Sequence, residues 1–229
     1  MALGDALSGA LRLLLTLDTH VWSAVIVSLR VSLLATVLSV LIGLPIGFLV
    51  AARQFSGRRV IEILLNTATA LPTVVVGLLV YALLSRRGLL GPLGLLYTQS
   101  AMVIGETILV APLMAALTVA VVSGADPRIE ETALTLGASR FGAAISVFVE
   151  TQRGLLAAIT TSFGRLISEL GIALMVGGNI LDSTRTMTTT IALETSKGDL
   201  ALGFALGLIL LSVALAVNGA VAVLTPSRA

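Results

Sequence analysis

Residues 31–52 read VSLLATVLSVLIGLPIGFLVAA, with no charge between Arg30 and Arg53. A helix needs about 20 apolar residues to cross a bilayer, and this stretch is long enough. The secure span begins at Val31; Val21 and Trp22 form an interfacial anchor pattern that allows an earlier start, near Val21.

Four similar stretches follow. Residues 61–84 are interrupted by Pro72, and residues 100–122 carry Glu106 and Pro112. Residues 154–177 carry Arg165 and Glu169, and residues 200–224 are free of charge. The expected fold is all-α and polytopic, with about five transmembrane helices. Composition agrees: 57% of residues are apolar, 11% are charged, and the mean hydropathy is +1.08. Soluble domains run at about a quarter charged.

The same arithmetic removes several classes of chemistry. The chain has no cysteine, which excludes disulfides, thiolate metal sites and cysteine nucleophiles. His20 is the only histidine, so a histidine metal cluster or an HExxH protease has no material. Basic residues occur as singles and pairs without interleaved aromatics, so no nucleic-acid footprint is present.

Breakers delimit the connections. Residues 88–94, GLLGPLG, form a turn-rich loop, and residues 124–127, GADP, end the third span. Residues 128–151 are too polar for a span but helical in period, and are expected as one or two short helices within a loop at 124–153. Residues 1–19 lack a basic leader end and a clear cleavage site, so an attached amphipathic surface helix is expected there. Residues 20–224 form the membrane domain, and residues 225–229 a short tail. Pro72 and Pro112 read as kinks held by neighbouring helices, or as gate hinges.

The loop at 124–153 holds residues 130–141, EETALTLGASRF. This resembles the EAA loop of ABC importer permeases, whose core is E-A-A, three residues, then glycine. Glu131, Thr132 and Ala133 fill the triplet, and Gly137-Ala138 the glycine step; Val149-Glu150 replaces the family's usual Leu-Pro. A short helix–glycine–helix hairpin can plug into a cleft on a partner, and a glutamate near a helix start suits the dipole. The resemblance implies that Glu131, Ala133 and Gly137 couple to an ATPase subunit, with Phe141 packing behind them.

It also implies a cytoplasmic loop, an outside N-terminus and a cytoplasmic C-terminus in a prokaryotic inner membrane. The charge count leans the same way. Arg53, Arg58, Arg59, Arg128, Arg140, Arg153 and Arg228 then fall inside, against Arg12, Arg86, Arg87, Arg185 and Lys197 outside. No G-x-x-x-x-G-K-[ST] phosphate loop exists, and Lys197 is the only lysine. The chain is therefore expected to be no enzyme and to carry no cofactor, ATP–Mg belonging to the separate ATPase.

Residues 163–171, FGRLISELG, and 175–180, MVGGNI, are similar to permeases for sulfate, molybdate and tungstate. Residues 184–199, TRTMTTTIALETSKGD, and 85–97, SRRGLLGPLGLLY, are most similar to the tungstate-specific branch. The implied machine is a homodimer in the lipid bilayer, holding two ATPase copies and served by an extracytoplasmic oxyanion-binding protein. A molybdate or sulfate permease is the alternative within the family. An ion-coupled secondary transporter that depends on Glu106 is the alternative outside it.

Charges within the spans mark the candidate path. Arg165 and Glu169, four apart, are expected to share a helix face as an ion pair, lining the path or pinning the bundle. Glu106 is expected to be protonated or paired, with Arg30 as its candidate partner. Asn179, Arg185 and Thr188 fall at the outer end of the fourth span. Freed amides and hydroxyls there suit an oxyanion, or else the threonines satisfy a re-entrant backbone.

Overall fold

The computed structural model describes residues 19–53 and 55–224. The expected surface helix at 1–19, apart from Thr19, and the tail at 225–229 lie outside the described residues. Among the described residues the chain forms eight α-helices and no strand. They are α1 Thr19–Ala52, α2 Arg58–Thr69, α3 Thr73–Leu84, α4 Gln99–Ser123, α5 Arg128–Thr135, α6 Arg140–Ile167, α7 Met187–Lys197 and α8 Leu200–Leu224.

The central pair is α1 and α4. The buried face of α1 is small: Ser28, Ser32, Ala35, Thr36, Ser39, Gly43 and Gly47. Gly43 lies against Ala111 and Met114, and Gly47 against Ala115 and Thr118, so the two helices run parallel. A methyl group at Gly43 would sit 2.5 Å from the Ala111 carbonyl oxygen. Lipid gives helices no hydrophobic reason to associate, so close packing of small residues carries the contact. Hydroxyls on these helices bond back to their own backbone, Thr36 Oγ1 to Ser32 O at 2.7 Å and Thr118 Oγ1 to Met114 O at 2.8 Å. The opposite face of α1 exposes Leu33, Val37 and Leu41 to the bilayer.

Of the expected spans, the first, third and fifth are single helices. α1, α4 and the Leu200–Ala220 part of α8 are each long and apolar enough to cross a membrane. α1 starts at Thr19, taking the earlier of the two starts the sequence allows. The second span is a bent pair, α2 and α3, meeting at 97°. Pro72 supplies no N–H and disfavours helix at the residue before it, which turns the expected kink into a break. Pro112 stays inside an unbroken α4.

The fourth span needs correcting. α6 begins at Arg140, capped by Ser139 Oγ accepting from Gly142 N at 3.1 Å. Residues 140–151 are therefore its first turns, not a separate loop helix; their charges exclude lipid but not helix. α6 ends at Ile167, and the chain resumes beyond a break as a π-helical turn at Ala173–Gly177.

Two apolar clusters hold the bundle. Val31 of α1, Val80 of α3, Met102 and Val110 of α4, Leu166 of α6 and Ile172 make one. Val21 and Val25 of α1, Phe163 and Ile167 of α6, Met187 of α7 and Leu206 of α8 make the other.

Candidate functional site

The hairpin at 128–141 follows the chemistry of helix ends. Glu130 and Glu131 stand in the first turn of α5, where carboxylates favour the exposed amides. Asp126 Oδ1 accepts from Arg128 N at 3.0 Å just before it. At the other end Ala138 N donates to Ala133 O and Gly137 N to Leu134 O, both at 3.0 Å. This is a Schellman ending with Gly137 as its left-handed residue, at φ 88°. Glycine is needed for conformation alone, because nothing lies within 4 Å of the position a Cβ would take. The E-x-A-x-x-x-G spacing thus places an acid at the start of a short helix, a bonded alanine carbonyl near its end and a left-handed stop.

The hairpin's apolar side chains face outward. Leu136 is 82% exposed and Phe141 76%. Phe141 was expected to pack behind the hairpin, and the structure corrects this: it stands on the first, solvent-facing turn of α6. Phe148, two turns on and itself 41% exposed, makes a ring contact at 6.3 Å with Phe48 of α1. Glu131 and Gly137 are exposed, and Ala133 is half-buried.

Arg58, at the start of α2, ties this end together. Its Nε donates to Glu62 Oε1 at 2.7 Å, and its Nη2 to Ser123 Oγ at 3.0 Å, on the last residue of α4. A cavity of about 340 Å³ beside it is lined by Phe48, Arg58, Asp126 and Glu130, among others. Sequence reasoning missed this contact, because Arg58 and Ser123 lie 65 positions apart with no local signal linking them.

In the membrane, α6 runs antiparallel to α4. Gly154 packs on Val121, and Ser162 Oγ lies 3.6 Å from Met114 Sδ. Beyond the end of α6, Gly105 packs on Ile172, which brings Glu169 to the level of Glu106. The expected Arg165–Glu169 pair does not form: among the described residues no ion pair joins them, and Arg165 is exposed while Glu169 is 7% exposed. The pairing required one continuous helix, and the helix stops at Ile167. Glu169 instead caps the next turn, its Oε1 accepting from Ile172 N at 3.2 Å, and its carbonyl accepts from Thr188 Oγ1 at 2.8 Å.

Glu106 is 2% exposed, its Oε2 has no hydrogen-bond partner among the described residues, and Glu169 acts on it electrostatically. The candidate Arg30–Glu106 pair is absent, since Arg30 lies on the exposed side of α1. Gly171 beyond the α6 break packs on Thr73 beyond the α2–α3 break, so the two broken spans meet.

The outer loop brings Asn179 and Arg185 together. Arg185 Nε donates to Asn179 Oδ1 at 3.2 Å, and Asn179 holds φ 52°. Thr184 Oγ1 donates to Gly177 O and accepts from Ile180 N. Thr186 and Thr189 form a capping box at the start of α7. These threonine groups are used by the loop's own backbone, which is the second of the two readings left open above. Of the candidate path residues, the structure joins Asn179 to Arg185, brings Thr188 and Glu106 to Glu169, and leaves Arg165 apart.

Comparison with known proteins agrees with this architecture. The model for the binding-protein-dependent transport system inner membrane component matches residues 43–229. A probable anion ABC transporter permease protein of Haloferax volcanii is 40% identical over 205 residues, 87% of this chain and 88% of that one. The tungstate uptake system permease protein TupB of Peptoclostridium acidaminophilum is 36% identical over 219 residues, 96% of both chains. Among solved structures, the inward-facing MetNI methionine ABC transporter matches with a TM-score of 0.72 at 17% identity, over 88% of this chain and 91% of that one, a likeness of fold. The chain belongs to the family of inner membrane components of binding-protein-dependent transport systems, the multi-pass permease subunits of ABC transporters.

Proposed function

We propose that this chain is the permease subunit of an ATP-driven importer for tungstate. Two copies enclose the path, and each presents its α5 hairpin to one ATPase subunit on the cytoplasmic side. An extracytoplasmic oxyanion-binding protein delivers the cargo at the outer loop around 178–186. The N-terminus is outside and the C-terminus inside. ATP–Mg binds and is hydrolysed in the ATPase; this chain performs no covalent chemistry.

The observation that carries the reading is the α5–α6 hairpin. A left-handed glycine stop holds two exposed apolar side chains, Leu136 and Phe141, outside any core of this chain. Such a projection suits insertion into a partner's cleft. Arg58 links the hairpin's root at Ser123 to α2, and α2 leads to the break at Pro72 that meets Gly171. A push on α5 thereby reaches the two broken spans. The choice of tungstate follows the permease of Peptoclostridium acidaminophilum, similar over nearly its whole length.

The test is isotope uptake in source cells with this chain intact or deleted. Tungstate, molybdate and sulfate are compared at submicromolar concentration, with and without ATP depletion. The expected result is selective loss of ATP-dependent tungstate uptake in the deletion. Loss of molybdate or sulfate uptake instead would keep the machine and change its cargo. Uptake that survives ATP depletion and falls on Glu106→Gln would point to ion-coupled secondary transport.

A further inference from the structure

We propose that Arg165, one from each of two copies, is the anion-recognising station of the path at mid-membrane. The inference deepens the importer reading above and rests on it. An Arg165 neutralised by Glu169 would have no net charge to offer an anion. The structure separates the two, with Glu169 turned inward onto Ile172 N and Arg165 outward. Among the described residues no hydrogen bond or ion pair engages the Arg165 guanidinium.

Its depth follows from two registers. Continued from Ser162 on Met114, Arg165 is level with Ala111, and Ala111 touches Gly43 of α1. Gly43 stands next to the middle of the charge-free stretch between Arg30 and Arg53. Arg165 is therefore level with the middle of α4, Gln99–Ser123, the least favourable depth for an arginine facing lipid.

Two of its exposed neighbours carry hydroxyls, each bonded to its own backbone, and Leu170 is exposed beyond them. Thr161 and Ser168 share the exposed face, with Thr160 and Gly164 half-buried beside them. On α1 at comparable depth the exposed side chains are Leu41, Ile42 and Ile46. Lipid suits the second face, and a water-filled path suits the first. A guanidinium offers a planar fork of donors that matches oxyanion geometry, and two of them balance a dianion. The ligand class is a tetrahedral dianionic oxyanion in transit, and the site is incomplete without the second copy.

The chain has no cysteine of its own, which makes the test direct. Arg165→Cys permease is assembled with cysteine-free ATPase and binding protein in proteoliposomes, and tungstate uptake is measured before and after modification. Aminoethyl methanethiosulfonate returns a positive charge to position 165; sulfonatoethyl methanethiosulfonate places a negative one there. Uptake should fall about tenfold or more in Arg165→Cys. It should recover with the aminoethyl reagent and stay low with the sulfonatoethyl reagent, in the same folded molecules.

Wild-type uptake by Arg165→Cys, equal effects of the two reagents, or no labelling in any nucleotide state would each overturn the proposal. Failure of Arg165→Cys to assemble with the ATPase would assign the guanidinium to packing and overturn it too. Wild-type vesicles that take up no oxyanion would instead overturn the cargo reading, and this inference with it.

Discussion

Gly43 and Gly137 are both required, for opposite reasons. At Gly43 the backbone is ordinary helix and space is lacking: α1 and α4 approach until a methyl would strike the Ala111 carbonyl. At Gly137 space is open and the backbone is special, with φ at 88° and nothing near the position of a Cβ. One glycine serves a packed contact that must not move. The other serves a hairpin whose apolar side chains, Leu136 and Phe141, stand exposed. The membrane half of the molecule is held by backbone proximity, and the hairpin is held by its own end-capping.

Substitutions separate the two regimes. The largest effect is expected for Gly43→Leu or Gly47→Leu, since overpacking typically costs about 1–3 kcal/mol and here the obstacle is backbone. Neither variant should give a monodisperse peak in detergent size-exclusion chromatography. Gly137→Glu should remain in the membrane at wild-type yield yet abolish ATP-driven uptake, measured side by side in vesicles. Its left-handed backbone adds roughly 1–2 kcal/mol of local strain for a non-glycine residue. Gly137→Asn, which tolerates that conformation, should retain part of the uptake.

A smaller change is expected from Leu136→Ser. Stability should not move, and affinity for the ATPase should weaken about tenfold, read by co-purification across a dilution series. Thr186→Ala, at the capping box of α7, should give the smallest effect, about 1 kcal/mol of stability, with uptake retained. A detergent melting curve checks it.

The apolar runs made the spans legible, because a bilayer demands length and low charge and both are local properties. The hairpin was legible for the same kind of reason: an acid at a helix start and a glycine at a helix stop are rules of single helix ends. What escaped depended on contacts distant in sequence. The 97° bend at Pro72 brings Thr73 against Gly171, a contact ninety-eight positions away that no local signal announces. Between the end of α6 at Ile167 and Gly171 there is no glycine or proline, and Thr188, nineteen positions after Glu169, holds the freed Glu169 carbonyl. The Arg165–Glu169 pair failed with that ending, because spacing by four has meaning only on a continuous helix. Charges at 140–153 hid the true length of α6, since they argue against lipid and were read as arguing for a loop.

We propose that the ATPase engages this chain at the α5–α6 hairpin. The most direct measurement uses a single cysteine at Leu136, in a chain that has none of its own, and a short cross-linker to the assembled ATPase. A matched cysteine at Leu93, in the loop between α3 and α4, serves as the opposite face. The expected result is an ATPase cross-link from position 136 that changes with nucleotide, and none from position 93. A cross-link from position 93, or none from position 136 in a complex that hydrolyses ATP, would contradict it.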